Sequence, residues 1–277
     1  MRRPDADGAG PRPAAWRAAQ PLLAAALACA VSAGAHAGPV HDRVRATGEV
    51  RVCIWPTYYG VTYRHPRTRQ LSGIDIELSR YFAQDLGVRV VHVDSSVDAF
   101  VHDLLTQRCD IAMSGIGKLR PRMQDLRFSQ PYLHSSVHAV TTKSNPVVRH
   151  WSDIDRPGVA VGVQSGSLIL PAVQARLRHA TVVTVQPSET RERELAAGRI
   201  DVFFTNDIYA RQLTESADWT RVVLPPSPVL DIPLAYAVRP GDEEWLAAVD
   251  TFVARVKGDG RLLAVARRYG LGALVAP

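Results

Sequence analysis

Arg108-Cys109-Asp110-Ile111-Ala112-Met113-Ser114 and Arg199-Ile200-Asp201-Val202-Phe203-Phe204-Thr205 are the two stretches that decide the fold of this chain. Each opens on arginine, carries an aspartate two places on and runs into apolar residues of strand length. Each also closes a similar series. Ahead of the first, Val50 to Ile54 reads as a strand, and Ile74, Leu78, Tyr81, Phe82 and Leu86 fall at helical spacing up to a stop at Gly87. Val88 to Val93 reads as a second strand, and Val97, Phe100, Val101, Leu104 and Leu105 as a second helical stripe. Ahead of the second lie a strand over Val159 to Val163, a helix from Ser167, a strand over Thr181 to Val185 and a helix through Glu192; a further helix follows from Asp207. Short β-branched strands alternating with amphipathic helices predict parallel sheets covered by helices.

Working outward from the repeat, the alternating stretch Ser135 to Thr142 carries the chain out of the first α/β lobe, and Ile232 to Val238 carries it back. A chain that leaves and returns makes a double hinge. The predicted organisation is one lobe over 38–138 plus 236–277 and a second over 139–235. Glu243 to Val256 and Arg261 to Tyr269 are amphipathic helices covering the first lobe. Ligands of open parallel sheets sit outside the carboxyl ends of the strands, so two facing lobes leave the cleft between them as the binding place.

The chain has 277 residues, 46% hydrophobic and 22% charged, which excludes disordered and fibrous classes. Residues 1–37 read as a signal peptide: a basic start with Arg2, Arg3, Arg12 and Arg17, an apolar run from Pro21 to Val31, and the small-x-small site Ala35-His36-Ala37. The run is shorter than the roughly 20 residues of a membrane span. The leader holds four arginines and two aspartates, so its removal lowers the net charge from +6 to +4. No basic tract interleaved with aromatics occurs, and nucleic acid is not expected as a partner. Cys53 and Cys109 remain after cleavage, either as two buried thiols or as a disulfide of an exported protein.

Five segments in order resemble family 3 of the bacterial extracellular solute-binding proteins, the periplasmic amino-acid-binding proteins of ABC transporters. Gly48-Glu49-Val50-Arg51-Val52 is similar to that family's opening strand, Leu71 to Leu78 (LSGIDIEL) to its G-F-D-x-D-L helix start, and Phe128-Ser129-Gln130-Pro131-Tyr132 to its F-S-x-P-Y segment. Val161 to Ser167 (VGVQSGS) resembles its V-G-V-x-x-G-[ST] turn, and Gly198-Arg199-Ile200-Asp201-Val202 its G-x-[VI]-D-A strand. The resemblance implies the type II periplasmic-binding-protein fold, a periplasmic monomer without cofactor or metal, a small carboxylate-bearing ligand and an ABC permease as partner.

It also implies a site. Arg122 stands where the family clamps the ligand carboxylate, a task suited to the planar guanidinium fork. Tyr58 stands at its aromatic wall, with Trp55 beside it. Gly115 and Gly117 follow the first repeat strand; Gly166 and Ser167 open the second lobe's turn, where a hydroxyl and backbone N–H groups attract anions. Asn206 occupies the position of the family's ammonium-binding aspartate, and Asp207 lies next to it. The pattern's hydroxyls at 117 and 168 are Gly117 and Leu168 here, and its polar first-loop residue is Trp55. A ligand with a carboxylate but a weaker demand for a charged amine, or an amine paired by Asp207, fits these departures.

Catalysis is not expected. The second reading is an enzyme of the cyclohexadienyl (prephenate or arogenate) dehydratase type, which resembles the same family and needs a positioned acid such as Asp207. A third is a sensor whose closed state is read by a membrane receptor. No motif of serine hydrolases, zincins or P-loop proteins is present.

Overall fold

A computed structural model describes residues 38–167, 169–186 and 190–277; the leader over 1–37 and Leu168 lie outside the described residues. The elements of the first half are α1 (Pro39–Thr47), β1 (Glu49–Ile54), β2 (Thr57–Tyr58), β3 (Thr62–Arg64), β4 (Leu71–Ser72), α2 (Ile74–Leu86), β5 (Arg89–Asp94), α3 (Phe100–Leu105), β6 (Ile111–Gly117), β7 (Arg127–Phe128) and β8 (Leu133–Ser135). There follow β9 (Val137–Thr142), β10 (Ala160–Gln164), α4 (Leu170–Arg176), β11 (Thr181–Val185), α5 (Arg191–Ala196), β12 (Val202–Asn206), α6 (Asp207–Ser216), β13 (Thr220–Val223), β14 (Ile232–Val238), α7 (Glu243–Gly258) and α8 (Arg261–Arg268). Among the described residues no helix is long and apolar enough to cross a membrane.

Two sheets share one plan. The first runs β5-β1-β6-β14-β7, with β8 also on β14; the second runs β11-β10-β12-β9-β13. In each, the opening three strands are parallel and the next is antiparallel. The repeated aspartate explains the match. Asp110 N–H donates to Arg51 O at 2.8 Å, and Asp110 Oδ2 accepts the Arg51 N–H at 2.7 Å. In the second sheet Asp201 N–H donates to Ala160 O at 2.8 Å, and Asp201 Oδ2 accepts the Ala160 N–H at 2.8 Å. The aspartates thus clip β6 to β1 and β12 to β10 before their ladders start, at Val52 with Ile111 and at Val161 with Val202. The carbonyls behind the clips are also taken, Asp110 O by the Trp245 indole and Asp201 O by Thr141 and Asn145. Arg43 and Arg51 pair with the buried Asp110 carboxylate.

The chain crosses to the second sheet at Ser136, between β8 and β9, and returns over 224–231, between β13 and β14. Both crossings fall a few residues ahead of the 138/139 and 235/236 boundaries read from the sequence. His134 and Asp231, one on each crossing, meet at 2.7 Å. From α7, Trp245 and Phe252 pack on Phe82 of α2, which sets the C-terminal helices against the first sheet. Cys53 is bridged to Cys109. Their sequence separation of 56 corresponds to about 4 kcal/mol in the chain-entropy estimate. The bridge shares an apolar cluster with Phe100, Ile116, Leu126 and Phe128, against which Trp55 packs.

Two helix starts differ from the sequence reading. The helix expected from Ser167 begins at Leu170: Gly166 turns at φ +70°, Ser167 N–H closes on Gln164 O, and Pro171 sits in the first turn, where its missing N–H costs nothing. Ser167 therefore does not cap it. The stripe from Val97 becomes helical only at Phe100, and Val97 is exposed.

If the clip holds the strands through a carboxylate oxygen, Asp110→Ala leaves the Arg51 N–H unpaired and lowers stability by about 2 to 4 kcal/mol, roughly 4 to 16 °C in melting temperature. Asp110→Asn, whose amide oxygen can still accept that N–H, loses less; equal losses in thermal melts would rule the clip out.

Candidate functional site

The carboxyl ends of β1 and β6 carry the first half of the site. Just past β1, the Trp55 N–H donates to Ser114 Oγ and to Thr62 Oγ1, which fixes the start of the loop to the end of β6. The Trp55 ring stacks on Tyr58 at 5.9 Å with planes 17° apart, and meets the Phe100 ring edge-on at 5.9 Å. On Phe100 lies Arg122, its guanidinium carbon 5.2 Å from the ring centroid. Burial lowers the Arg122 pKa and the charge of Asp98 opposes that shift; a guanidinium nonetheless stays cationic at neutral pH. Among the described residues Arg122 side-chain nitrogens make no hydrogen bond or ion pair.

Tyr58 completes the strip. Its hydroxyl donates to Asn206 Oδ1 at 3.3 Å, joining the first sheet's side of the cleft to the second's. Burial, and then the charge of Asp207, push the phenol well above its ordinary pKa, so it remains a neutral donor. Asn206 is the N-cap of α6, with Oδ1 accepting the Tyr209 N–H at 2.8 Å. Arg122, Trp55, Tyr58 and Asn206 are therefore linked through Phe100 in one continuous run of contacts. Gly115 adjoins it: its φ is +58°, and a Cβ there would lie 3.3 Å from the Tyr58 ring. Gly117 ends β6 opposite Leu234. Gly166 and Ser167 lie in the turn between β10 and α4, and no hydrogen bond joins them to the strip among the described residues. The Ser167 hydroxyl is buried without a partner.

Asp207 faces elsewhere. Its Oδ1 accepts from the Ser135 hydroxyl at 2.6 Å and from its neighbour's N–H, Ile208, at 2.8 Å, while Oδ2 accepts the Ser136 N–H at 3.2 Å. Asp207 N–H in turn donates to Ser136 O. The residue read as an amine partner or an acid is a clamp between α6 and the crossing segment.

Sequence reasoning missed a carboxylate behind the strip. Asp75, wholly buried, accepts the Gly115 N–H at 2.9 Å, the Tyr132 hydroxyl at 2.7 Å and the Tyr236 hydroxyl at 3.1 Å. Burial raises its pKa to about 6 against these three donors. Gly73 before it has φ 127° and sits so close to Val61 that any Cβ would strike the Val61 carbonyl. The signal was present in the LSGIDIEL and FSQPY segments, but nothing in their spacing says that they meet. Phe100, read as core, is the platform under Arg122. A second cation, Arg191, lies 5.2 and 5.1 Å over Phe203 and Tyr209 and donates to Phe204 O, bracing the carboxyl end of β12.

The family model for bacterial extracellular solute-binding proteins, family 3, matches residues 50–272. The cyclohexadienyl dehydratase of Pseudomonas aeruginosa is 28% identical over 222 residues, covering 80% of this chain and 82% of that protein. The L-cystine-binding protein of Escherichia coli is 24% identical over 249 residues, covering 90% and 92%. The crystal structure of an ancestral amino acid-binding protein, a precursor of cyclohexadienyl dehydratase, superposes with a TM-score of 0.72 at 28% identity, covering 83% of this chain and 98% of that one.

Asp75 gives the fold a pH signature. Its folded pKa of about 6 lies above the ordinary 3.8, so between about pH 4 and 6 the folded state holds a proton that the unfolded state has lost. Stability from this group is present below pH 4 and is lost as pH rises through 6, by on the order of 2 to 3 kcal/mol. Melting temperatures of wild type and Asp75→Asn, taken from pH 4 to 8, should differ most in favour of wild type at the acid end; a difference independent of pH would refute the assignment.

Proposed function

The chain belongs to the bacterial extracellular solute-binding proteins of family 3, and from that premise we propose that it captures a small carboxylate-bearing solute by closure of its cleft and hands it to an ABC permease. The observation that carries this reading is Arg122: a half-buried cation on the Phe100 face whose side-chain nitrogens make no hydrogen bond or ion pair among the described residues. Such a charge calls for an anion from outside. Trp55 and Tyr58 give the ligand an aromatic wall, and the Tyr58–Asn206 hydrogen bond is one that forms only when the two sides of the cleft approach. The solute-binding relatives at 24% identity and the ancestral amino acid-binding protein at 28% support the same class. In this reading the protein is a periplasmic monomer released by cleavage of the leader over 1–37.

The dehydratase reading draws on the 28% identity to the Pseudomonas aeruginosa enzyme. A dehydration needs a group placed to protonate a departing hydroxyl. The two carboxylates whose charge acts on Tyr58 argue against it, because Asp75 is wholly buried behind Gly115 and both Asp207 oxygens are engaged at the crossing.

Thermal melting of residues 38–277 against amino acids, keto acids, dicarboxylates and prephenate separates these readings. A ligand at 100 times its dissociation constant adds about 2.7 kcal/mol, or roughly 5 to 11 °C. Binding is expected to raise the melting temperature, to vanish in Arg122→Ala and to return the ligand unchanged. Consumption of prephenate or arogenate would make the chain an enzyme.

A further inference from the structure

Resting on the reading of the strip as a carboxylate cleft, we infer that Asn206 sets the ligand class: the site takes a carboxylate whose neighbouring carbon bears an oxo or hydroxyl group, in preference to the corresponding amino acid. The acceptors beside Tyr58 that could hold an ammonium already have donors of the protein's own. An ammonium in a closed cleft needs acceptors, at least one of them charged, because an unpaired buried cation is strongly disfavoured.

The carboxylates whose charge reaches the Tyr58 hydroxyl are Asp207 and Asp75. Asp207 has given Oδ1 to Ser135 and Ile208 and Oδ2 to Ser136. Asp75 has given Oδ2 to Gly115 and Tyr132 and Oδ1 to Tyr236. Freeing either would dismantle the crossing clamp or the buried node. Asp98, whose charge acts on Arg122, is exposed to solvent and is not among the carboxylates that act on Tyr58.

The neutral acceptor at the centre is used as well. Asn206 Oδ1 takes the Tyr209 N–H and the Tyr58 hydroxyl. That pairing also fixes which way the amide faces. Turning it over would set its NH2 against the Tyr209 N–H, two donors facing, so the oxygen stays on the helix and Nδ2 points away from it. Among the described residues Nδ2 makes no hydrogen bond. Beside the Tyr58 oxygen, a neutral acceptor that brings no charge to pair an ammonium, what the strip leaves open are donors: the Arg122 guanidinium and the Asn206 NH2. Donors match oxygen acceptors, and they repel an ammonium. Stacking an ammonium on the aromatics does not restore the balance, since Arg122 occupies the face of Phe100 and the Trp55 and Tyr58 rings supply no charged acceptor.

Asn206→Asp is the discriminating change. A carboxylate at 206 still caps Tyr209 and accepts from Tyr58, but it presents a charged oxygen where the NH2 stood. Calorimetric titration of residues 38–277 with matched sets (pyruvate, lactate and alanine; 2-oxoglutarate, 2-hydroxyglutarate and glutamate; phenylpyruvate, phenyllactate and phenylalanine; prephenate and arogenate) should show the oxo or hydroxy member binding wild type at least about tenfold tighter than its amino partner. In Asn206→Asp the order should reverse, with ligand-free melting unchanged within a few degrees. An amino acid that binds wild type as well as its oxo acid, with binding lost in Arg122→Ala, overturns this inference and leaves the carboxylate cleft standing. Binding that persists undiminished in Arg122→Ala, or no binding by any member of either series, overturns both.

Discussion

The carboxylate of Asp75 is the point on which the first lobe's half of the cleft hangs. Its three donors come from the end of β6, from the segment leading into β8 and from β14, while its own backbone opens α2. Four pieces of chain far apart in sequence are thereby held to within a hydrogen bond of one another, in a place where none of those donors could find water. A buried carboxylate without such partners would be prohibitive, and with them it is a strong geometric constraint. The constraint passes to the site through Gly115, whose N–H is one of the three donors and whose missing side chain leaves room for the Tyr58 ring. Tyr132 and Tyr236 stack at 4.5 Å as they reach the same carboxylate, so β14, the strand that returns from the second lobe, is tied to the floor of the cleft.

The second lobe shares the aspartate clip with the first. Asp110 and Asp201 perform the same act in the two sheets, each joining its strand to the first strand by a reciprocal pair of hydrogen bonds. They differ in surroundings. Asp110 is buried with two arginines and a tryptophan behind it, whereas the Asp201 carbonyl is held by Thr141 of β9 and by Asn145 just beyond it. The contrast suits a molecule in which one lobe is the platform and the other is the part that moves.

That repeat is also why so much of the fold could be read from the chain. A β-branched run bounded by a turn announces a strand wherever it occurs, so β1, β11 and β14 fall where their apolar residues do. Gly87 ends α2 in the left-handed conformation that glycine favours. Elements without a periodic pattern could not be found this way. The two- and three-residue strands β2, β3 and β4 take their pairing from Thr62, which bonds Trp55, and from the close approach of Gly73 to Val61. The candidate site was legible in its residue types and not in their bonding. Arg122, Tyr58 and Asn206 could be singled out from motif positions, but that Asp207 would be turned to the crossing segment depended on Ser135 and Ser136, a serine pair that spacing alone gives no reason to notice.

Closure rests on few bonds of the protein's own. Tyr58 reaches Asn206 across the cleft, and Arg211 of α6 reaches the Gly270 carbonyl beyond α8. Exposed or half-buried hydrogen bonds of this kind contribute about 0.5 to 1.5 kcal/mol each. Two of them supply roughly 1 to 3 kcal/mol, a gap of the size that a ligand's differential affinity can shift. A ligand that touches Arg122 on one side and Asn206 on the other binds only the closed arrangement in full, so it moves the balance by its whole differential affinity. The same economy explains why the second lobe meets the first through an asparagine. A carboxylate at 206 would sit beside the Asp207 charge one residue away and the Asp75 charge beyond Tyr58, whereas a neutral amide lets Tyr58 and Asn206 meet without that repulsion.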